Sequence, residues 1–141
     1  VKDGPKFWKE YVRSNDYQRL NHLGNGRPGP TTEAPLLSVY FPKENRKQDE
    51  FIDVLGMETT AKIDSSSFET HRVPSAIYAE FNCTYQSSMK TNRYIYRDWF
   101  SSTRYERDEN KPDIVAYFPI PFRPMSEMCI RWWVPVVGKV E

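Results

Sequence analysis

The sequence predicts a mainly β domain: an antiparallel β-sandwich carrying two short helices. Three observations lead there. First, aromatic residues make up 15% of the chain, with nine Tyr, eight Phe and four Trp, which argues against disorder, since disordered chains are aromatic-poor. Second, eleven prolines stand against six glycines, a composition foreign to helical bundles and coiled coils. Third, apolar residues in the last two-thirds alternate with period two, the pattern of antiparallel strands with one face buried. No β-α-β rhythm runs through the chain, which argues against a doubly wound α/β fold. The alternative is an α+β roll with the helices packed on one curved sheet. At 141 residues the chain suits one domain with one core, burying about two-thirds of the surface its unfolded form exposes.

Residues 3–13 read as a short helix: Asp3 can cap it, Pro5 fits its first turn, and Phe7, Trp8, Tyr11 and Val12 form one stripe. A second helical turn is expected through Tyr17, Leu20 and Leu23. Three glycines and two prolines between Gly24 and Pro30 then make a loop or extended arm. Residues 1–30 are therefore expected to be an appendage and 31–141 a single β-rich domain.

Within that domain, residues 36–41 read as a strand stopped by Pro42. Residues 45–55 read as a helix capped by Asn45 and ended by Gly56, with Phe51, Ile52 and Leu55 on one face. Segments 57–64 and 68–73 carry only weak strand signals. Residues 76–85 form the clearest strand, with Ile77, Ala79, Phe81, Cys83 and Tyr85 facing one way. A turn over 87–92 and a strand over 93–100 would complete a hairpin. Residues 101–112 are polar and read as a loop. Residues 113–119 read as a strand closed by Pro119, Pro121 and Pro124. The last strand falls within 125–137, with Met128, Ile130, Trp132, Val134 and Val136 on one face.

A net charge of +1 lacks the broad electrostatic footprint of a generic nucleic-acid binder and leaves only a local patch open. The longest apolar runs are about four residues, too short to span a bilayer. The first residues are charged rather than apolar, unlike a signal peptide. A first residue of Val rather than Met is expected to reflect processing or trimming. Cys83 and Cys129 are expected to be two buried thiols rather than one bridge. The triplet Asn82-Cys83-Thr84 fits a glycosylation acceptor, but its place inside a strand makes it read as chance.

Candidate chemistry is sparse. His22 and His71 lack metal-ligand spacing. Glu69 and His71 form at most a two-ligand fragment and read better as ordinary surface. Ser65, Ser66 or Ser67 with His71 and Asp64 could make a triad only through tertiary folding, and no Gly-x-Ser-x-Gly elbow is present. The glycines at 24, 26 and 29 follow no strand and precede no helix, so they fail as a phosphate cradle. No cofactor is expected.

The more informative stretch is residues 93–107. Tyr94, Tyr96, Arg97, Trp99 and Arg104 interleave rings with guanidinium groups, a chemistry that serves protein interfaces and can also stack bases or sugars. Nucleic acid is the less favoured partner. Arg131, Trp132 and Trp133 form a second such feature. Alternation sends the two indoles to opposite faces, so one joins the core and Trp133 meets solvent or a partner. The expected contact residues are thus Tyr94, Tyr96, Arg97, Trp99, Arg104, Arg131 and Trp133.

Residues 113–124 (Asp-Ile-Val-Ala-Tyr-Phe-Pro-Ile-Pro-Phe-Arg-Pro) and 128–135 (Met-Cys-Ile-Arg-Trp-Trp-Val-Pro) resemble the last two strands of picorna-like viral capsid jelly rolls. In that family a strand ends in a Pro-rich turn, a short polar link follows, and an alternating aromatic strand closes the sheet. Glu141 is also similar to the ends left by proteases that process such polyproteins. The likeness covers about twenty-five residues well and departs in length, since such folds usually carry eight strands. It implies a coat or protruding domain, partners that are other copies or coat subunits, and a virion or extracellular setting.

The expectation is thus a non-enzymatic structural or interaction domain of capsid type, with the Gly24–Pro30 arm draped over a neighbour. One alternative is a secreted or surface recognition module binding protein or glycan through Tyr94, Tyr96 and Trp99. A second is an α+β roll enzyme or small-ligand binder using Asp64, His71 and nearby tyrosines.

Overall fold

A computed structural model describes residues 10, 13, 18, 20, 29–42, 51–60 and 68–140. Residues 10, 13, 18 and 20 are helical and fall in the two segments expected to be helices. The other residues of those segments, most of the 24–30 arm, and residues 43–50 and 61–67 lie outside the described residues.

The mainly β, antiparallel expectation holds. The described residues form six strands: β1 (Leu36–Pro42), β2 (Phe51–Gly56), β3 (Tyr78–Thr84), β4 (Tyr105–Arg107), β5 (Asp113–Phe118) and β6 (Cys129–Gly138). They form one open sheet of order β2-β1-β5-β6-β3, with β4 also pairing with β6. The described strands do not stack as a second sheet. One face is layered instead by α1, a helix over residues 88–102, which brings this part of the chain nearer the roll than the sandwich. It runs as an α segment Ser88–Arg93, a π segment Tyr94–Trp99 and a last α turn Phe100–Ser102.

The central strands are buried on both faces, not one. All of β5 from Asp113 to Tyr117 is buried, as are the first four residues of β1, so these strands read as apolar runs more than as alternation. On the α1 face, Leu36, Val115, Tyr117, Met128 and Ile130 form one buried cluster, joined by half-buried Trp132. On the opposite face, Ala34, Leu37, Val39, Ile114 and Ala116 form another, with Trp133 and Phe118 packed against it. The two indoles do separate as the alternation requires.

Two element assignments are corrected. Residues 51–55, expected as the end of a helix, are strand β2, paired with β1 from Leu37↔Gly56 to Pro42↔Phe51. Ile52 and Val54 are β-branched and favour this state, and the pairing gives β1 a second neighbour. Residues 93–100, expected as a strand, belong to α1. The stripe Thr91, Ile95, Trp99 recurs every four residues on the inward side, and Ile95 is 0% exposed. The 76–100 hairpin therefore does not form. β3 pairs instead with β6, Tyr78↔Pro135 through Thr84↔Cys129. Residues 57–60 and 68–73 carry no strand, and the expected 101–112 loop contains the short strand β4.

β4 and β5 lie along the same edge of β6, because Arg107 pairs with Val136 and Ile114 with Trp133. The chain thus advances seven residues against three on β6, and the surplus is looped out at 108–112. This loop places Arg107 and Asp113 side by side.

Cys83 and Cys129 are both free. Thr84 pairs with Cys129 and Cys83 with Ile130, so the two thiols point to opposite faces and cannot bridge. Cys83 is half-buried and Cys129 exposed, which corrects the expectation of two buried thiols. Burial pushes the Cys83 thiol up, against lowering contacts from Thr91 and Ser87, so it is a poor nucleophile at neutral pH.

The segment before β1 is tied to the end of β2 by one carboxylate. Glu58 accepts from the Thr31 and Thr32 backbone N–H groups at 2.9 and 2.8 Å and from the Thr32 hydroxyl at 2.7 Å. A side chain on buried Gly29 would overlap Glu58, so only glycine lets the two segments approach. Burial pulls the Glu58 carboxyl up, but these donors outweigh it and the net shift is downward. The folded value thus lies below the unfolded one, about 4.3. The tie's contribution is full above that pH and is lost as pH falls through the folded value. Replacing Glu58 by Gln is expected to flatten the stability profile below about pH 4.5, measured as urea midpoints against pH; an unchanged acid slope would refute the tie.

Candidate interaction surface

The sheet and α1 divide the expected contact residues between two surfaces. Tyr94, Tyr96, Arg97 and Trp99 ride on α1 and Arg104 follows it, whereas Arg131 and Trp133 lie on β6 facing the opposite side of the sheet. They do not form one patch.

Within α1 the side chains have different fates. In the π segment the Phe100 N–H donates to the Ile95 carbonyl five residues back, which widens the turn. Trp99 packs inward, edge-on to Phe81 at 5.1 Å and to Phe100 at 5.0 Å, and stacked on Tyr105 at 6.2 Å with an interplanar angle of 4°. The Tyr96 hydroxyl donates to Asp113 Oδ2, while the rest of its ring remains exposed. Burial first, and then the Asp113 charge, push the Tyr96 hydroxyl far above its ordinary value, so it stays a donor. Tyr94 and Arg97 project outward, Arg97 only 4.0 Å from the adjacent Asp98 carboxylate. Arg104 lies over the Tyr105 ring at 5.4 Å.

On the far face, Arg131 sits 4.7 Å over the Phe118 ring and 3.8 Å from Glu80, and the Trp133 indole N–H donates to the same Glu80 oxygen at 3.0 Å. The row Phe118–Arg131–Glu80–Trp133 is a cross-strand ladder whose charge is matched internally.

A polar row also crosses the α1 face, where Tyr40 stands opposite both Asp53 and Asp113 in register. Burial, then the Asp53 charge, raise the Tyr40 hydroxyl; burial, then Tyr40, raise that of Tyr117. Both phenols stay protonated at neutral pH and offer no phenolate. His71 is exposed, 3.1 Å from Glu69, with its ring 5.4 Å from Phe41. Asp64 and Ser65–Ser67 lie outside the described residues. Among the described residues no three His, Cys, Asp or Glu gather as a metal site, and no helix is long and apolar enough to cross a membrane.

Among the described residues, the most exposed large hydrophobic side chain belongs to a segment the sequence presented only as punctuation. Between β5 and β6 the Arg123 N–H donates to the Ile120 carbonyl at 3.2 Å. This closes a turn with Pro121 and Phe122 at its centre, and Phe122 has φ 62°. Proline then a positive φ is the type II pattern, whose third position normally takes Gly or Asn. A phenylalanine there costs about 1–2 kcal/mol of backbone strain. Its ring recovers none of this within the subunit, since Phe122 is 106% exposed, and Ile120 beside it is exposed too. An aromatic ring held between Pro121 and Pro124 was the available signal, because the prolines bar it from both flanking strands.

Comparison with protein-family models, with curated proteins and with solved structures finds no match.

Proposed function

We propose that this chain is a non-enzymatic interaction domain, an assembly unit of capsid type, whose β5–β6 turn seats Phe122 in an apolar pocket of a neighbouring subunit. The observation that carries this reading is the conjunction at Phe122: full exposure, a left-handed backbone and a large apolar ring. Strain kept at a site where a folded monomer gains nothing points to a contact made elsewhere. Aromatic anchors dominate interface energetics, and burying such a ring contributes about 1.5–3 kcal/mol by area. The resemblance of residues 113–135 to capsid strands supplies the class of assembly. A knob entering a pocket elsewhere on a neighbour is a heterologous contact, and such contacts propagate beyond two copies.

Phe122→Gly separates the two energies. Relief of the strain is expected to raise the stability of the single subunit by about 0.5–1 kcal/mol. Light scattering, which for the parent protein should show species larger than a dimer, should show none for the variant. A parent protein that stays monomeric at high concentration overturns the proposal, as does a variant that assembles unchanged.

A further inference from the structure

We propose that the free edge of β3 pairs with β3 of a second copy around a twofold axis at Phe81, joining two sheets into one. Among the described residues β3 has β6 on one side and no strand on the other. Such an edge offers a row of N–H and C=O groups to another chain, and proteins usually blunt it with Lys, Pro, a bulge or an inward charge. β3 carries no Lys, Pro or bulge, and its one charge, Glu80, is matched by Arg131 of β6 at 3.8 Å. Its seven residues, Tyr-Ala-Glu-Phe-Asn-Cys-Thr, hold an unbroken register with β6.

The occupant follows from the sequence of the edge itself. Antiparallel pairing about Phe81 sets Phe81 against its own copy, Ala79 against Cys83 and Ile77 against Tyr85 on the α1 face. On the other face it sets Glu80 against Asn82, and Tyr78 beside Thr84, whose N–H and carbonyl are already bonded to Ser87 Oγ and the Ser87 N–H, so the new backbone bonds centre on Glu80 and Asn82. Apolar meets apolar at Phe81, at Ala79 with Cys83 and at Ile77 with Tyr85, a carboxylate meets an amide at Glu80 with Asn82, and no like charges are opposed. A shift by two residues one way would set Glu80 against its own copy and Phe81 against Ala79, and the other way would set Phe81 against Cys83 and lose the Glu80–Asn82 pair. The isologous arrangement also covers Ile77, whose backbone already extends the β3–β6 pairing by accepting from the Val136 N–H at 2.8 Å but whose side chain is 74% exposed. Ala79, Phe81 and Cys83 are each half-buried under α1, leaving an apolar flank for the second copy to close.

This contact uses neither Phe122 nor the β5–β6 turn, so it is tested in the Phe122→Gly background, where knob-driven assembly is removed. Asn82 is exposed, and substitutions there leave the core untouched. Sedimentation equilibrium of the Phe122→Gly protein should show a dimer. Adding Asn82→Glu sets carboxylates opposite each other twice, and adding Asn82→Lys creates two ion pairs with Glu80. The dimer dissociation constants of these two variants should differ by about tenfold or more, the lysine variant binding tighter, and the gap should shrink in high salt. A strictly monomeric Phe122→Gly protein overturns the edge pairing alone, and equal dissociation constants for the two Asn82 variants overturn it as well. Persistence of large species in the Phe122→Gly protein would count against the knob and leave the Asn82 comparison to decide the edge.

Discussion

Replacing Arg107 by alanine is expected to cost the fold about 3–5 kcal/mol, the usual consequence of removing one partner of a buried ion pair. Arg107 and Asp113 each keep 9% of their side-chain surface, with Nη2 and Nε 2.9 and 3.0 Å from Asp113 Oδ1. The same guanidinium donates to the Lys111 and Asp108 carbonyls at 2.8 and 3.4 Å and lies 5.5 Å from the Phe51 ring centre. One side chain therefore holds the looped-out residues 108–112, binds the β5 carboxylate, and packs on β2. Burial alone would lower the Arg107 value, but Asp113 overcomes this and raises it. Without Arg107, Asp113 would keep the Tyr96 hydroxyl as its side-chain donor and remain buried with an unmatched charge. Urea unfolding should show the midpoint falling with the slope unchanged. Arg107→Lys should recover part of the loss, because an ammonium keeps the charge but not the planar fork. A loss below about 1 kcal/mol, the range of exposed pairs, would mean that water screens this pair and that the loop is held by its backbone.

Arg107 also shows where sequence reading stops. In the sequence it adds to a local positive run between residues 93 and 107, yet it faces inward and the run's outward charge is carried by Arg93, Arg97 and Arg104. Periodicity tells which face of a strand a residue occupies but not whether a partner charge waits there. Strands β1, β3, β5 and β6 were legible because their apolar residues keep one state over six or more positions. β2 was not: Phe51, Ile52 and Leu55 satisfy a helical stripe as well as a strand, and only the pairing with β1 decides. β4 is three residues long and exists through its partner on β6. The opposite placement of Trp132 and Trp133 was legible, being a matter of parity alone. Glu80 as the shared partner of Arg131 and Trp133 was not, since its register against β6 is a tertiary fact. Phe122 has no periodic signature, because its significance lies in a dihedral angle and an exposure.

The helix over 88–102 is the clearest case of tertiary context overriding local preference, and Trp99 tests it. Tyr94, Ile95, Tyr96, Trp99 and Phe100 are strong strand formers, and Tyr94 and Tyr96 alternate as a strand would. What opposes them is a four-residue stripe that buries Ile95 completely and lays Trp99 against Phe81 of β3 and Tyr105 of β4. If that packing holds α1 on the sheet, Trp99→Ala should destabilise the protein by about 3 kcal/mol, the lower end for such a truncation because the ring is only half-buried. The near-ultraviolet circular dichroism of the stacked indole should be lost with it. Tyr94→Ala, which removes an exposed ring from the outer side of the same helix, should change stability by less than about 0.5 kcal/mol. A recognition surface built on Tyr94, Tyr96 and Trp99 predicts the reverse for the indole: intact stability and lost binding. Trp99 already packs against Phe81, Phe100 and Tyr105, so the two substitutions together decide whether this aromatic run serves the fold or a partner.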